Sequence, residues 1–184
     1  MKNIVHQITR RHALAGAVAG IALSVSRFPA LSQQPAPAQQ PAMGQKPSTA
    51  ANQMRTLLHQ EIALNAAPER IFTMLLDSKQ FAAFTGMPAM IDPTVGGAFS
   101  TFGGMIEGRN VVLIPNRRIV QAWRPTHWDP GVYSMVHFEL KAASSGTALV
   151  LDHTGFPEGE FDHLDPGWYM RYWDPLKKYL ATHE

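Results

Sequence analysis

His153 is the side chain of this sequence best suited to chemistry. It stands in the run TALVLDHTGF, where strand alternation puts it on one face with Leu149 and Leu151 and turns Val150 and Asp152 to the other. A titratable imidazole on an apolar face has three uses: general acid or base, hydrogen-bond donor to a ligand, or core group bonded to a neighbour. All three stay open on the sequence alone. Asp152 or Arg124 could assist a reaction at His153. Arg124, after Trp123 at a strand end, could also meet an acidic ligand group or pair with a surface carboxylate. His127, Asp129, His163 and Asp165 are metal-ligating types like His153, but their spacing matches no ligand motif, so no metal site is assigned. The chain has no G-x-S-x-G elbow, no H-E-x-x-H, no G-x-x-x-x-G-K and no G-x-G-x-x-G. The pairs Gly96-Gly97 and Gly103-Gly104 read as turns, and no cofactor is expected. Cysteine is absent, which removes thiolate catalysis, disulfides and cysteine zinc sites.

These side chains need elements to hold them. Between Phe84 and Trp128 the sequence has the rhythm of consecutive antiparallel strands, with candidates at Met90–Pro93, Ala98–Phe102, Met105–Ile114 and Arg118–Arg124. A first strand over Arg55–Leu64 precedes them, with Leu58, Gln60, Ile62 and Leu64 on one face. Pro68 suits the first position of a helix carrying Ile71, Phe72, Leu75 and Leu76. Ser78 can cap a second short helix that Gly86 stops. Val132–Ala142 and Thr147–Thr154 form a hairpin. A last helix runs from about Asp165 to Leu180, with Asp165-Pro166 as cap and first position and the stripe Tyr169, Trp173, Leu176 and Leu180 facing the sheet. Pro175 inside it removes a donor and is expected to bend it.

Five motifs in order carry a resemblance: F-T-G-x-P-A from Phe84, G-G-x-F-x-x-F-G-G-x-I-x-G-x-N from Gly96, R-I-V-Q-x-W-R from Arg118, G-T-x-L-x-L-x-H-T-G-F-P from Gly146 and G-W-x-x-x-Y-W-x-P-L from Gly167. Over Thr56 to Leu180 the chain resembles the SRPBCC (START-like) superfamily and, within it, the activator of heat-shock protein 90 ATPase homologue (AHSA-type) domain. The resemblance implies an α+β helix-grip fold, a curved antiparallel sheet wrapped around a long C-terminal helix and a cavity. It implies no single reaction. In that fold Trp123, Trp128, Trp168 and Trp173 surround the cavity mouth, and Phe84 and Phe138 join them on an apolar wall. The expected ligand contacts are therefore Phe84, Trp123, Arg124, Trp128, Phe138, His153 and Trp173, with His153 the catalytic candidate.

The N-terminus has a different character. Lys2, Arg10 and Arg11 precede the apolar run Ala13–Val25, and Ala30 and Ser32 supply the small residues of a cleavage site. Residues 1–32 read as an export signal. Thr9-Arg10-Arg11 resembles a twin-arginine motif, with Ala13 and Ala15 where that pattern has Phe and Lys. Residues 33–53, rich in Pro, Gln and Ala, read as a disordered linker, and 54–184 as the domain. Losing Lys2, Arg10, Arg11 and Arg27 and no acidic residue leaves 12 basic side chains against 14 acidic, where the full chain has 16 against 14. That balance argues against nucleic acid as a partner. The leading expectation is a periplasmic or secreted protein, off the membrane once its signal is removed, that binds a small hydrophobic or amphipathic ligand as a monomer or weak dimer. The alternatives are a cyclase- or isomerase-like enzyme using His153, and a protein-interaction module akin to a co-chaperone.

Overall fold

The computed structural model describes residues 51–52 and 54–183. The export signal and nearly all of the linker read from the sequence lie outside them. Asn52, assigned to that linker, donates to Asp162 Oδ1 at 2.9 Å.

Seven strands form one antiparallel sheet: β1 (Leu57–Leu64), β2 (Met90–Ile91), β3 (Ala98–Thr101), β4 (Ile106–Ile114), β5 (Arg118–Pro125), β6 (Ser134–Ala143) and β7 (Gly146–Thr154). Their order across the sheet is β1-β7-β6-β5-β4-β3-β2. Two short helices, α1 (Pro68–Leu76) and α2 (Ser78–Thr85), follow β1. The chain then closes with α3 (Phe161–Trp168), a π-helical turn (Tyr169–Trp173) and α4 (Asp174–Leu180). This is the helix-grip arrangement implied by the resemblance. Among the described residues no helix is long and apolar enough to cross a membrane.

Alternation makes the sheet two-faced. β1 buries Leu58, Gln60, Ile62 and Leu64, and β7 buries Thr147, Leu149, Leu151 and His153. The register skips between Asn110 and Val112, a bulge of the kind that bends a strand and increases its twist. Gly108 pairs with Trp123 and has no room for a side chain. A Cβ there would stand 2.1 Å from the Ala122 carbonyl oxygen and 2.4 Å from Phe99 Cζ.

Three local expectations change. Asp77 caps α2, accepting from the Gln80 N–H at 2.8 Å, so Ser78 becomes the first helical residue. The C-terminal helix starts at Phe161 rather than Asp165 and carries Pro166 inside it, because Phe161 and Leu164 extend the buried stripe by a turn. Its inward face is Phe161, Leu164, Trp168, Tyr172, Trp173, Leu176 and Leu180. Tyr169, placed on that face by a uniform helical period, is 39% exposed. The π turn explains the difference: the Asp174 N–H bonds Tyr169 O, five residues back, and the register after it is shifted.

Candidate functional site

A cavity of about 280 Å3 lies between one end of the sheet and the C-terminal helix. Three segments position its walls. The turn from β3 to β4 brings Phe102, Met105 and Ile106, the end of β5 with its loop brings Trp123 and Pro125–His127, and the helix brings His163, Leu164, Gly167, Trp168, Arg171 and Tyr172. The inner wall is aromatic. Trp123 and Trp168 lie 5.6 Å apart, Trp168 and Tyr172 4.3 Å, and Phe102 and Tyr172 5.1 Å, measured between ring centroids. The rim carries the exposed side chains of His127, His163 and Arg171.

Two backbone features serve this wall. Phe102 has φ of 54°, a left-handed conformation that is costly for a bulky residue, and the next residue, Gly103, has φ of 67°. The kink turns the Phe102 ring onto Phe81 and Tyr172. On the opposite wall the π turn carries Arg171 and Tyr172 to the cavity and leaves Trp173 in the core.

The polar groups behind the aromatic wall are unevenly satisfied. Burial pushes the Tyr172 phenol well above its usual range, with Trp123 and Thr101 as opposing donors. Neither of those two closes a hydrogen bond of ordinary geometry, and the Trp123 N–H, the Thr101 hydroxyl and the Trp128 N–H all stay unpartnered. Buried donors without acceptors are rare in folded proteins.

Of the seven expected ligand contacts, Trp123 alone lines this cavity. Phe84 packs on Phe81 at 5.0 Å, and Phe138 fills the core between Trp168 and Trp173. Trp128 stands behind Trp123, 6.0 Å away. Arg124 follows Trp123 on β5 and so points to the opposite face. Its guanidinium donates to the carbonyls of Pro125 and Trp128 and lies 3.3 Å from Glu107, clamping the loop that carries His127. Trp173 is fully buried, and its N–H donates to Gln60 Oε1 at 2.7 Å. Gln60 in turn donates to the carbonyl oxygen and Oδ1 of Asp165, tying β1 to the helix.

His153 takes the third of its three uses. It is fully buried between Trp123, Phe156 and Trp168 and does not line the cavity. The Trp168 N–H can only donate, and it reaches Nδ1 at 3.2 Å. Nε2 therefore carries the proton and donates to Ser134 Oγ at 2.7 Å, while Ser134 passes its own hydrogen to Trp123 O at 2.9 Å. Burial lowers the His153 pKa to about 3. A ring with both nitrogens engaged and no contact with the cavity is poorly placed for acid–base chemistry. Asp152, its proposed helper, points outward to His59 at 2.6 Å. His127 and His163 approach to 6.1 Å between ring centroids, and no cluster of three or more metal-ligating side chains occurs among the described residues.

Among the wall residues outside the expected contacts, Trp168 was expected at the cavity mouth, whereas Tyr172, Phe102 and Arg171 were not expected there. Trp168 and Tyr172 stand inside a quoted motif, but a plain helical period selects Trp173 instead. Arg171 occupies a variable position of that motif and gives no sequence signal.

Comparison with known proteins agrees with this architecture. The family model described as Activator of Hsp90 ATPase homolog 1-like protein matches residues 65–181. The Activator of 90 kDa heat shock protein ATPase homolog of Dictyostelium discoideum is 31% identical over 112 residues, covering 60% of this chain and 29% of that protein. An uncharacterized protein of Schizosaccharomyces pombe is 31% identical over 120 residues, 65% of this chain and 36% of its own length. The chain thus spans about a third of the curated relatives it matches. Among solved structures, an HSP90 activator from Plasmodium falciparum aligns with a TM-score of 0.66 at 24% identity, covering 69% of this chain and 97% of that one. The Aha1 dimer from Colwellia psychrerythraea aligns at 0.60 and 18% identity, covering 71% and 99%. At these identities the structures speak for the fold.

Proposed function

The chain belongs to the Activator of Hsp90 ATPase homolog 1-like family, and on that premise we propose that its domain holds one small apolar or amphipathic molecule between the sheet and the C-terminal helix. The observation that carries this reading is the cavity itself. At about 280 Å3 it sits at the lower edge of the usual range for ligand pockets, roughly 300–1,000 Å3. Its aromatic inner wall offers an apolar ligand dispersion contacts and removal from water. The leader read in residues 1–32 would put this binding outside the cytoplasm.

A protein partner is the second reading, favoured by the exposed Val111, Val112 and Ile114 on β4 and by relatives named as activators of a chaperone ATPase. Gly167 separates the two readings. It lines the cavity, and a Cβ built on it meets nothing within 4 Å. A Gly167→Leu variant fills the cavity from within a helix, where leaving glycine gains up to about 1 kcal/mol of helix propensity. The variant should melt no lower than the parent protein. It should bind the neutral fluorescent probe N-phenyl-1-naphthylamine roughly tenfold more weakly or worse, a difference of about 1.4 kcal/mol. A docking surface on β4 would be untouched by this change. Equal probe affinity in the folded variant removes the cavity reading and leaves the protein-partner one.

A further inference from the structure

We infer that the cavity selects a monoanionic amphiphile, an alkyl or aryl carboxylate whose charged head sits at the rim against Arg171 and whose tail lies on the Trp123–Trp168 wall. The inference rests on the reading of the cavity as a ligand site and adds the chemical class of its ligand.

Three observations converge on it. No acidic side chain lines the cavity, although its rim is open to solvent and carries Arg171, His127 and His163. Arg171 makes no ion pair or side-chain hydrogen bond with any described residue, so its guanidinium keeps its donors for an incoming group. Those guanidinium N–H groups thus ask for an acceptor, which a carboxylate provides with two oxygens and a hydrocarbon does not. Finally, Glu160 lies 3.7 Å from His127 and sets a carboxylate on that side of the mouth. The cavity lining itself carries one permanent positive charge, that of Arg171, and this balance suits a monoanion better than a phosphate chain. A guanidinium over an apolar cleft is also favoured physically. Its interaction with a carboxylate is bidentate and, beside a low-dielectric wall, is screened less than an ion pair in open water.

Octanoate and 1-octanol share a tail and differ in the head, so isothermal titration of the full chain with each, at pH 7.5 and low salt, tests the inference. Octanoate should bind about tenfold more tightly than octanol, as expected for a charge-assisted hydrogen bond that the alcohol cannot match. In Arg171→Gln the ratio of the two affinities should fall close to one, and Arg171→Lys should keep an intermediate ratio. Equal affinities in the parent protein, or a preference that survives Arg171→Gln, overturn the anion inference while the cavity reading stands. Failure of both ligands to bind removes that reading and the inference with it.

Discussion

At the scale of single residues, His153 shows how a titratable group can be retained for its neutral form. Its folded pKa is about 3, against about 6.5 for a solvated imidazole, and burial is the cause. Between those values the unfolded chain binds a proton that the folded chain refuses, so the stability supplied by neutral His153 is whole above about pH 6.5 and is lost as the pH falls. From pH 7 to pH 5 the unfolding free energy should drop by about 2 kcal/mol on this account. His59 runs the other way. Its hydrogen bond to Asp152, helped by Glu61, raises its pKa, and that contribution is present below about pH 6.5 and lost as the pH rises through its folded pKa. Being half exposed, it offsets His153 only weakly. Urea unfolding at pH 7 and pH 5 checks this: His153→Gln should flatten the pH dependence, and the parent slope persisting in the variant would sink the account. The inward face of this histidine was legible in the alternation of β7. Its role was not, because Ser134 and Trp168, the partners that occupy its two nitrogens, come from a neighbouring strand and a distant helix.

At the scale of elements, most of the fold could be read ahead of the structure, and the exceptions have one physical theme. Strands show an alternating pattern on a two-faced sheet, so β1, β4, β5, β6 and β7 were readable to within about two residues of their ends. The C-terminal helix was readable as a helix but not in register, because a uniform period cannot anticipate a π turn. That turn ends at Asp174, just before Pro175, which has no N–H to give the preceding carbonyls. Removing the cause should remove the effect. Pro175→Ala restores a donor and lets the turn tighten into α-helix, which would rotate Arg171 and Tyr172 by about 100° relative to Leu176. The variant should melt at or above the parent temperature, since alanine is the better helix former. It should nonetheless bind N-phenyl-1-naphthylamine more weakly, because two wall residues are displaced. Retained affinity together with an unchanged pattern of amide exchange through Tyr169–Trp173 would show that packing of Trp168 and Trp173, and not the proline, holds the π turn.

At the scale of the whole molecule, the described domain builds its cavity from segments far apart in sequence, which is why the site was less legible than the fold. Phe102, Trp123 and Tyr172 meet because β3, β5 and the C-terminal helix converge. Nothing in their local spacing marks them as neighbours. The same architecture bears on the domain's N-terminal boundary. The first described contacts from the N-terminal side are the Asn52 amide on Asp162 and the Arg55 guanidinium 3.6 Å over the Phe161 ring. Both anchor the chain at the start of the helix that roofs the cavity, and we propose on that ground that the domain begins at Asn52, two residues ahead of the boundary expected from composition. A chain starting at Asn52 keeps every one of these contacts and should melt within a few degrees of the full-length protein, about the shift expected for a change of 1 kcal/mol or less. A chain starting at Thr56 loses the stacked guanidinium, a contact of about 0.5–2 kcal/mol, as well as the amide, and should melt lower. Differential scanning calorimetry of the two truncations decides the boundary. A large fall already at the Asn52 start would mean that residues before it stabilise the domain, and equal melting of both chains would move the boundary past Arg55.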